Sequence, residues 1–356
     1  MEKTIEILSL EHFIHHVLCL SEKLNSPDFV WYRGVSNACH SLTPSLYREP
    51  FNSLLHQELP VLEPKDAPTP DHPTTLSEGG RKNIYRMEQS MDARFMTQSE
   101  SFLRKKQIES TPMNRYLLKQ HYSGKTRLLD WTESPLLALF FALNDEQSTE
   151  TKNDAKVSAL LPLRLNNFSI TRLLQFERPE LEKKLQLKSE KVFQLNVLPT
   201  IPKEFVKKPL LNKEDIISLD ALFGKYYHLR FSKDEKMYPF AFLPNYLDER
   251  MTAQKSCFTF FGNIITLKES LSEQERLSEE EKFLFSMIIP SICRDRILNE
   301  LKTMGITLFS IYPDLDGLSK SINDKHLSEI IENKKSQESW NLIESSFPAG
   351  GNLTNP

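Results

Sequence analysis

Apolar residues along the first part of the chain recur first with a helical period and then with a strand period. Ile14 and Val17 can share one face of a helix, so the spacing predicts an N-terminal helix within residues 1–25. The next stretch, "DFVWYRGV" (28–35), is short, aromatic and β-branched and ends at a glycine, which predicts a buried strand. Proline, threonine and aspartate are frequent in residues 60–80, which we expect to form a loop.

Helical periodicity returns at residue 82 and again over residues 111–122, where a Thr-Pro pair suits a helix N-terminus. The segment "TESPLLALFFALND" (132–145) offers a Thr or Ser cap and a proline in the first turn, and it is apolar nearly all round, which predicts a buried helix. The segment "KVSALLPLRL" (156–165) is strand-like. Residues 166–236 are rich in Lys and Glu with weak apolar periodicity, so we expect a peripheral helical insertion there.

The last third of the chain again mixes the two periods. Residues 277–304 predict a long helix that bends or begins at Pro290, and "GITLFSIYPDLDGLSKSI" (305–322) predicts a strand, a turn and a helix. Residues 335–356 are expected to be a disordered tail. Because strands and helices mix without regular βαβ alternation, the pattern favours the α+β class.

Composition narrows the function classes. The apolar (39%) and charged (26%) fractions are those of a soluble globular protein, and a net charge of −3 gives no basic footprint for non-specific nucleic-acid binding. Four scattered cysteines without C-x-x-C spacing argue against a zinc knuckle and for a reducing compartment. The N-terminus lacks the features of a signal peptide, and the apolar runs are too short to span a membrane. We therefore expect a cytoplasmic protein with no membrane partner.

Arg33 is a candidate functional residue because it stands inside the apolar segment "VWYRGV". A buried arginine needs a carboxylate, a group of carbonyls or an anionic ligand. Gly34 beside it leaves room for a ligand or another backbone to approach closely. Spacing alone is equally consistent with a structural ion pair to Glu88 or Asp130.

A second group of candidates precedes the predicted buried helix. Its seven members are His121, Tyr122, Thr126, Arg127, Asp130, Trp131 and Thr132. A helix N-terminus attracts anions through its free amide groups and its partial positive charge. Capping by Asp130 or Thr132 and an ion pair between Arg127 and Asp130 would explain part of this group. The surplus of polar side chains favours a ligand site.

A third group, Glu249, Arg250, Thr252 and Gln254, interrupts an aromatic, strand-like stretch. An ordinary polar loop would explain this group on its own. The chain contains no dinucleotide fingerprint, no P-loop and no H-E-x-x-H motif, and "PDLDG" lacks the further ligands of a calcium loop. We therefore expect no metal site.

Several of these segments together resemble the FRG domain family, which is named for its (Phe/Tyr)-Arg-Gly motif. They are "VWYRGV", "LTPSLYRE", "LLKQHYSGKTRLLDWTESPLLALFFAL", "RMTAQKSCFTFFG" and "GITLFSIYPDLDGL". The resemblance spans about Val30 to Leu318, so we assign an FRG-like domain to residues 28–320. Its most specific hallmark is close to "QHYGxPTRLLDWTxSPLxALFFA". Two departures are Ser123-Gly124-Lys125 in place of Gly-x-Pro, and Ser256 where the family often has glycine.

A weaker resemblance connects the same segments to ADP-ribosyltransferases. It implies a central split or mixed β-sheet flanked by helices, with helical insertions, and NAD as the substrate without a metal. "WYRG" is similar to the aromatic-Arg-Gly strand whose basic residue holds NAD. "DWTESPLLALFFA" is similar to the Ser-Thr-Ser strand and the helix after it, and "TAQKSCFTF" to the strand that carries the catalytic acid.

This resemblance also implies roles for single residues. Arg33 would bind the pyrophosphate or ribose of NAD, Thr132 would orient the ribose, and Gln254 or Glu249 would hold its 2′-hydroxyl. The implied catalytic residues are Arg33, His121, Asp130, Thr132, Gln254 and Glu249. The implied NAD-binding residues are Tyr32, Arg33, Gly34, Tyr122, Arg127, Trp131 and Thr132, with Tyr32, Tyr122 or Trp131 as an aromatic wall for nicotinamide.

Three hypotheses follow. The first is an FRG-domain protein that transfers ADP-ribose or hydrolyses NAD, with a role as a toxin or phage-defence effector by analogy. The second is a non-catalytic ligand- or protein-binding module, because a glutamine at position 254 cannot act as a base. The third is a nuclease in which His121, Asp130 and Glu88 act as acid, base or metal ligands. The negative net charge argues against the third.

Overall fold

The computed structural model describes residues 5–23, 30–48, 78–144, 153–166, 168–169, 237–267 and 282–324, together with 326, 330 and 334. The strands are β1 (Ile5–Glu6), β2 (Trp31–Val35), β3 (Leu128–Thr132), β4 (Ala155–Leu160), β5 (Phe240–Phe242), β6 (Ser256–Phe260) and β7 (Leu284–Ile289). The helices include α1 (Leu10–Lys23), α2 (Glu78–Lys105), α3 (Pro112–His121), α4 (Pro135–Leu143), α5 (Glu249–Ala253), α6 (Arg294–Thr303) and α7 (Leu308–Ile311). Among these helices, none combines the length and the apolar composition required to cross a lipid bilayer.

The strands form one mixed sheet in the order β1-β7-β4-β2-β3-β6-β5. The edge strand β1 runs parallel to β7, and the other neighbours are antiparallel. Helices flank this sheet, so the predicted mixture of a mixed sheet with helices is confirmed.

The sheet opens at its centre, between β2 and β3. Within the described residues these two strands pair through Tyr32 and Thr132 alone. On their other sides, β2 pairs with β4 and β3 pairs with β6 along the full length of each strand. Beyond the Tyr32–Thr132 pair, β2 and β3 therefore separate and leave a gap in the sheet.

Helix α4 holds β2 beside this gap. Ser134 caps the helix by accepting a hydrogen bond from the amide of Leu137, and Pro135 occupies its first turn. The helix is apolar and mostly buried, as predicted. A Cβ atom at Gly34 would overlap the carbonyl oxygen of Ala138 and lie 2.6 Å from the backbone nitrogen of Ala142. The glycine of the Arg-Gly pair is therefore required by the close packing of α4 against β2.

A buried ion pair anchors the start of β3. Nε of Arg127 donates to Oε2 of Glu88 at 2.9 Å, Nη2 lies 2.8 Å from the same oxygen, and both side chains are fully buried. Tyr116 donates its hydroxyl proton to Glu88, and its oxygen accepts the Arg127 amide at 2.9 Å. Nη1 of Arg127 donates to the carbonyl of Phe261 at 3.2 Å. This network joins α2, α3 and the residues that flank β3 and β6.

Helix α3 ends in a Schellman motif that sets the entry into β3. The amide of Gly124 donates to the carbonyl of Lys119 at 2.7 Å, and the amide of Ser123 donates to that of Gln120 at 3.1 Å. Ser123 has a φ of 61°, the left-handed conformation that favours glycine. The departure from glycine at this position of the family hallmark therefore places strain on the backbone.

Two sequence predictions near the C-terminus were partly wrong. Residues 284–289 form the strand β7 rather than part of a helix, because β1 and β4 lie on either side of this segment and pair with it. The alternative that the helix begins at Pro290 is confirmed, since a helical turn follows this proline and leads into α6. Residues 308–311 form α7 rather than a strand, because Thr307 and Ser310 make a reciprocal capping box. The N-terminal helix is α1, and a short strand, β1, precedes it.

Other predictions fall on residues that the structure does not describe. These are most of the loop over 60–80, almost all of the insertion over 166–236 and the tail over 335–356. They remain predictions.

Replacing Gly34 by alanine should lower the free energy of unfolding by about 3 kcal/mol, because the added methyl group forces α4 away from β2. Gly305→Ala is the matched control. Gly305 has a φ of 85°, and a Cβ atom there would meet none of the described atoms within 4 Å, so its loss should be about 1 kcal/mol from backbone strain alone. Denaturant unfolding measures the free energy of unfolding of both variants. Equal decreases in Gly34→Ala and Gly305→Ala would contradict the packing explanation.

Replacing Glu88 by glutamine should lower the free energy of unfolding by about 3 to 5 kcal/mol, because Arg127 would keep a buried charge without a counter-ion. Glu100→Gln on the same helix removes ion pairs that solvent screens, so it should change the free energy of unfolding far less than Glu88→Gln does. The double variant Glu88→Met/Arg127→Met should recover much of the loss. A Glu88→Gln protein as stable as the wild type would rule out this role of the pair.

Replacing Ser123 by glycine should raise the free energy of unfolding by about 0.5 to 1 kcal/mol, because glycine adopts a positive φ without a steric penalty. Gln107→Gly offers a parallel test, since Gln107 follows α2 with a φ of 56°. Thermal or denaturant unfolding checks both variants. A loss of stability in Ser123→Gly would show that the left-handed conformation carries no strain.

Candidate functional site

A cavity of about 410 Å³ lies where β2 and β3 separate. Eight residues that the sequence predicted as site residues line it: Tyr32, Arg33, Gly34, His121, Asp130, Trp131, Thr132 and Gln254. The other lining residues are Val35, Ser36, His40, Phe141, Ser256, Phe258 and Tyr312. The cavity therefore brings together the first strand motif, the segment around β3 and the turn before β6.

Arg33 projects its guanidinium group into the gap between the strands. Its Nη1 donates to the backbone carbonyl of Asp130 at 2.7 Å and lies 3.8 Å from the carboxylate of the same residue. Burial lowers the pKa of Arg33 to about 10, and the Asp130 carboxylate opposes this shift. The group is thus charged at neutral pH but poorly hydrated. Of the two partners that the sequence left open, the structure selects Asp130, and the cavity lies beside the pair.

The Asp130 side chain is held in place but remains open to solvent, with 53% of it exposed. Nε2 of Gln120 lies 2.8 Å and 2.7 Å from its two carboxylate oxygens. Thr126 donates its hydroxyl proton to Oε1 of Gln120 and so fixes the orientation of the amide. Arg48 adds a second guanidinium within electrostatic range of both Asp130 and Arg33.

His121 ends α3 and contacts a buried carboxylate. Its Nε2 lies 3.0 Å from Oδ2 of Asp248, and the two side chains are 7% and 9% exposed. Burial raises the pKa of Asp248, but the close contact with His121 and the hydrogen bond from the Met251 amide outweigh burial and hold the pKa below its usual value. Asp248 therefore stays ionised next to the imidazole.

Thr132 and Trp131 reach the cavity but make structural hydrogen bonds. Thr132 donates its hydroxyl proton to the backbone carbonyl of Gln254 at 2.7 Å and accepts the Ser134 amide at 3.0 Å. Trp131 is 3% exposed and donates its indole proton to Thr259 at 3.0 Å. Thr132 can therefore accept a further hydrogen bond but has no proton left to donate. The ring of Trp131 is too deeply buried for a ligand ring to stack on it. Phe141 and Tyr312 also line the cavity, and each is half-buried.

Three of the residues to which the resemblance assigned roles do not line the cavity. Arg127 is engaged in the buried pair with Glu88. Tyr122 is 54% exposed beyond the end of α3, where its hydroxyl accepts a hydrogen bond from Lys106 at 3.1 Å. Glu249 is exposed in the first turn of α5. In each case the chain direction at a helix end or strand start turns the residue away from the gap.

Gln120, Arg48 and Asp248 are functional candidates that the sequence reasoning missed. Gln120 stands inside the hallmark segment, directly before His121, so its position in that segment was a usable signal. Asp248 precedes Glu249 in the third polar group, and a helix-capping signal could have identified it. Arg48 stands inside "LTPSLYRE", a segment that carries the FRG resemblance, so its position was also a usable signal.

The cavity is lined by one guanidinium group (Arg33), one fixed carboxylate (Asp130) and one imidazole (His121), and Arg48 and Asp248 act on these groups from outside the lining. Arg33 can bind an anionic group, and the Asp130 carboxylate can accept hydrogen bonds from hydroxyl groups. Within the part of the chain that the structure describes, no group of three or more His, Cys, Asp or Glu side chains is arranged to hold a metal ion.

Comparison with known proteins gives one assignment. The family model for the FRG domain matches residues 28–151, which include Arg33, His121 and Asp130. No curated protein and no solved structure matches the chain. The matched segment carries β2, β3 and α4, the three elements that frame the cavity. The chain therefore contains an FRG domain over residues 28–151.

Proposed function

We propose that the cavity binds NAD and that the protein acts on the bond between nicotinamide and ribose, as an ADP-ribosyltransferase or an NAD glycohydrolase. One observation carries this proposal: Arg33, Asp130–Thr132 and Gln254, which come from three separate segments, line the same cavity. The resemblance to ADP-ribosyltransferases implies such a convergence of three segments. The cavity volume falls in the range of about 300 to 1,000 Å³ that is usual for small-molecule sites.

The charges around the gap suit the two halves of the ligand. Arg33, with Arg48 nearby, offers forked donors for a pyrophosphate, and Asp130 offers carboxylate oxygens for ribose hydroxyls. Phe141 and Tyr312 lie half-buried on the cavity wall, where a nicotinamide ring could stack. In this assignment, the aromatic wall comes from α4 and the residue after α7 rather than from Trp131 or Tyr122.

The reaction requires stabilisation of positive charge on the sugar. When the nicotinamide leaves with the electron pair of the glycosidic bond, the ribose acquires oxocarbenium character. The Asp130 carboxylate is fixed by Gln120 and needs no reorganisation to face that charge. A role as a toxin or phage-defence effector would follow if the substrate were cellular NAD or if ADP-ribose were transferred to a cellular target.

The second candidate is a non-catalytic module that binds a nucleotide-type ligand in the same cavity. Gln254, rather than an acid, stands at the turn before β6, and Glu249 lies away from the cavity. An amide can hold a hydroxyl group but cannot take its proton.

Calorimetric titration of the purified protein with NAD tests the proposal, together with chromatographic measurement of released nicotinamide. We expect binding and release, and we expect Arg33→Ala to weaken binding about 10- to 100-fold, because it removes charge-assisted hydrogen bonds. Arg104→Ala, at a residue whose side chain is 80% exposed on α2, should bind NAD like the wild type.

The possible outcomes separate the candidates. Binding without nicotinamide release, or without transfer of labelled ADP-ribose, would favour the non-catalytic module. Absence of both binding and release in the wild-type protein would overturn the proposal for NAD.

A further inference from the structure

We propose that His121 is the general base of the cavity and that Asp248 is its positioning residue. This inference rests on the proposed function and deepens it. It supplies the proton acceptor that Gln254 cannot provide, and it assigns a role to Asp248, which lies outside the segment that the FRG domain model matches.

The contact between the two side chains carries the inference. Nε2 of His121 lies 3.0 Å from Oδ2 of Asp248, and more than nine-tenths of each side chain is buried. The two atoms are not aligned for a hydrogen bond with each other, and neither has any other hydrogen-bond partner within the described structure. A buried imidazole and a buried carboxylate without other partners at these atoms are each stabilised chiefly by the other.

Asp248 uses its two oxygens for two different tasks. Oδ1 caps α5 by accepting the Met251 amide at 2.9 Å, and Oδ2 faces the imidazole. Because α5 leads directly to Gln254, the same carboxylate sets the position of the turn that lines the cavity. The cap also fixes the carboxylate, so that His121 meets it in one orientation.

The geometry leaves one imidazole nitrogen for chemistry. The proposed dyad requires the tautomer in which Nε2 carries its proton on the side of Asp248, which leaves the lone pair on Nδ1 of a ring that lines the cavity. The other groups that face the pair are Tyr122, whose ring meets the imidazole edge-on at 5.2 Å, and Lys106, whose charge acts on Asp248. The aspartate stabilises the imidazolium that forms when Nδ1 accepts a proton.

The proton transfer balances with water as the co-substrate. The bond between C1′ of the ribose and the nicotinamide nitrogen breaks, and its electron pair leaves with nicotinamide. A water oxygen bonds to C1′, and one proton of that water passes to Nδ1 of His121. The products are ADP-ribose and nicotinamide, and the imidazolium later releases the proton to solvent. An acceptor hydroxyl would give up its proton to Nδ1 in the same way.

The test separates binding of NAD from turnover. His121→Gln should bind NAD within about threefold of the wild type, whereas kcat for nicotinamide release should fall about 10²- to 10⁴-fold. Asp248→Asn should lower kcat at least about tenfold with KM nearly unchanged, because asparagine keeps the cap of α5 and removes the charge. His15→Gln, at an exposed residue of α1, should leave both constants unchanged.

Asp248→Ala distinguishes positioning from capping. It should lose stability as well as turnover, whereas Asp248→Asn should lose turnover with little change in melting temperature. If His121→Gln does not fold, Asp248→Asn carries the test alone. Wild-type turnover in either folded variant would overturn the dyad and leave the proposed function standing. Absence of NAD binding in the wild-type protein would overturn both the dyad and the proposed function.

Discussion

The separation of β2 from β3 beyond a single residue pair is the constraint on which the rest of the structure depends. A continuous ladder between these strands would fill the gap with backbone hydrogen bonds and leave no cavity. The gap persists because each strand is held from its other side, β2 by β4 and the closely packed α4, and β3 by β6 and the buried Arg127–Glu88 pair. The two residues of the Arg-Gly motif thus have different roles. Gly34 allows α4 to pack closely against β2, and Arg33 faces the gap.

Two arginines that shared a possible partner have opposite roles. Arg33 stands among apolar residues and Arg127 ends a polar stretch, and the sequence offered Asp130 as a partner for both. The structure pairs Arg127 with Glu88 in a fully buried network, whereas Arg33 meets Asp130 at the edge of a cavity. A fully enclosed pair has no access for a ligand, so Arg127 stabilises the fold, and Arg33 remains accessible for binding.

The sequence predicted which segments converge better than it predicted their individual contacts. Segments that resembled known motifs bring Arg33, Asp130 and Gln254 to the lining of one cavity, because the strand and helix signals around them are local. Asp248 and Gln120 act through partners that are distant in the chain or sit on another element, and such pairing leaves no local pattern. The strand β7 was missed for the same reason, since its state depends on β1 and β4 on either side.

Binding of a dinucleotide between Arg33 and Asp130 is the central claim for this cavity. A crystal structure of the protein grown with saturating NAD tests that claim most directly. We expect density for the dinucleotide in the gap between β2 and β3, with its pyrophosphate against the Arg33 guanidinium and a ribose against the Asp130 carboxylate. Well-ordered protein with an unoccupied gap, or NAD bound on another surface, would contradict it.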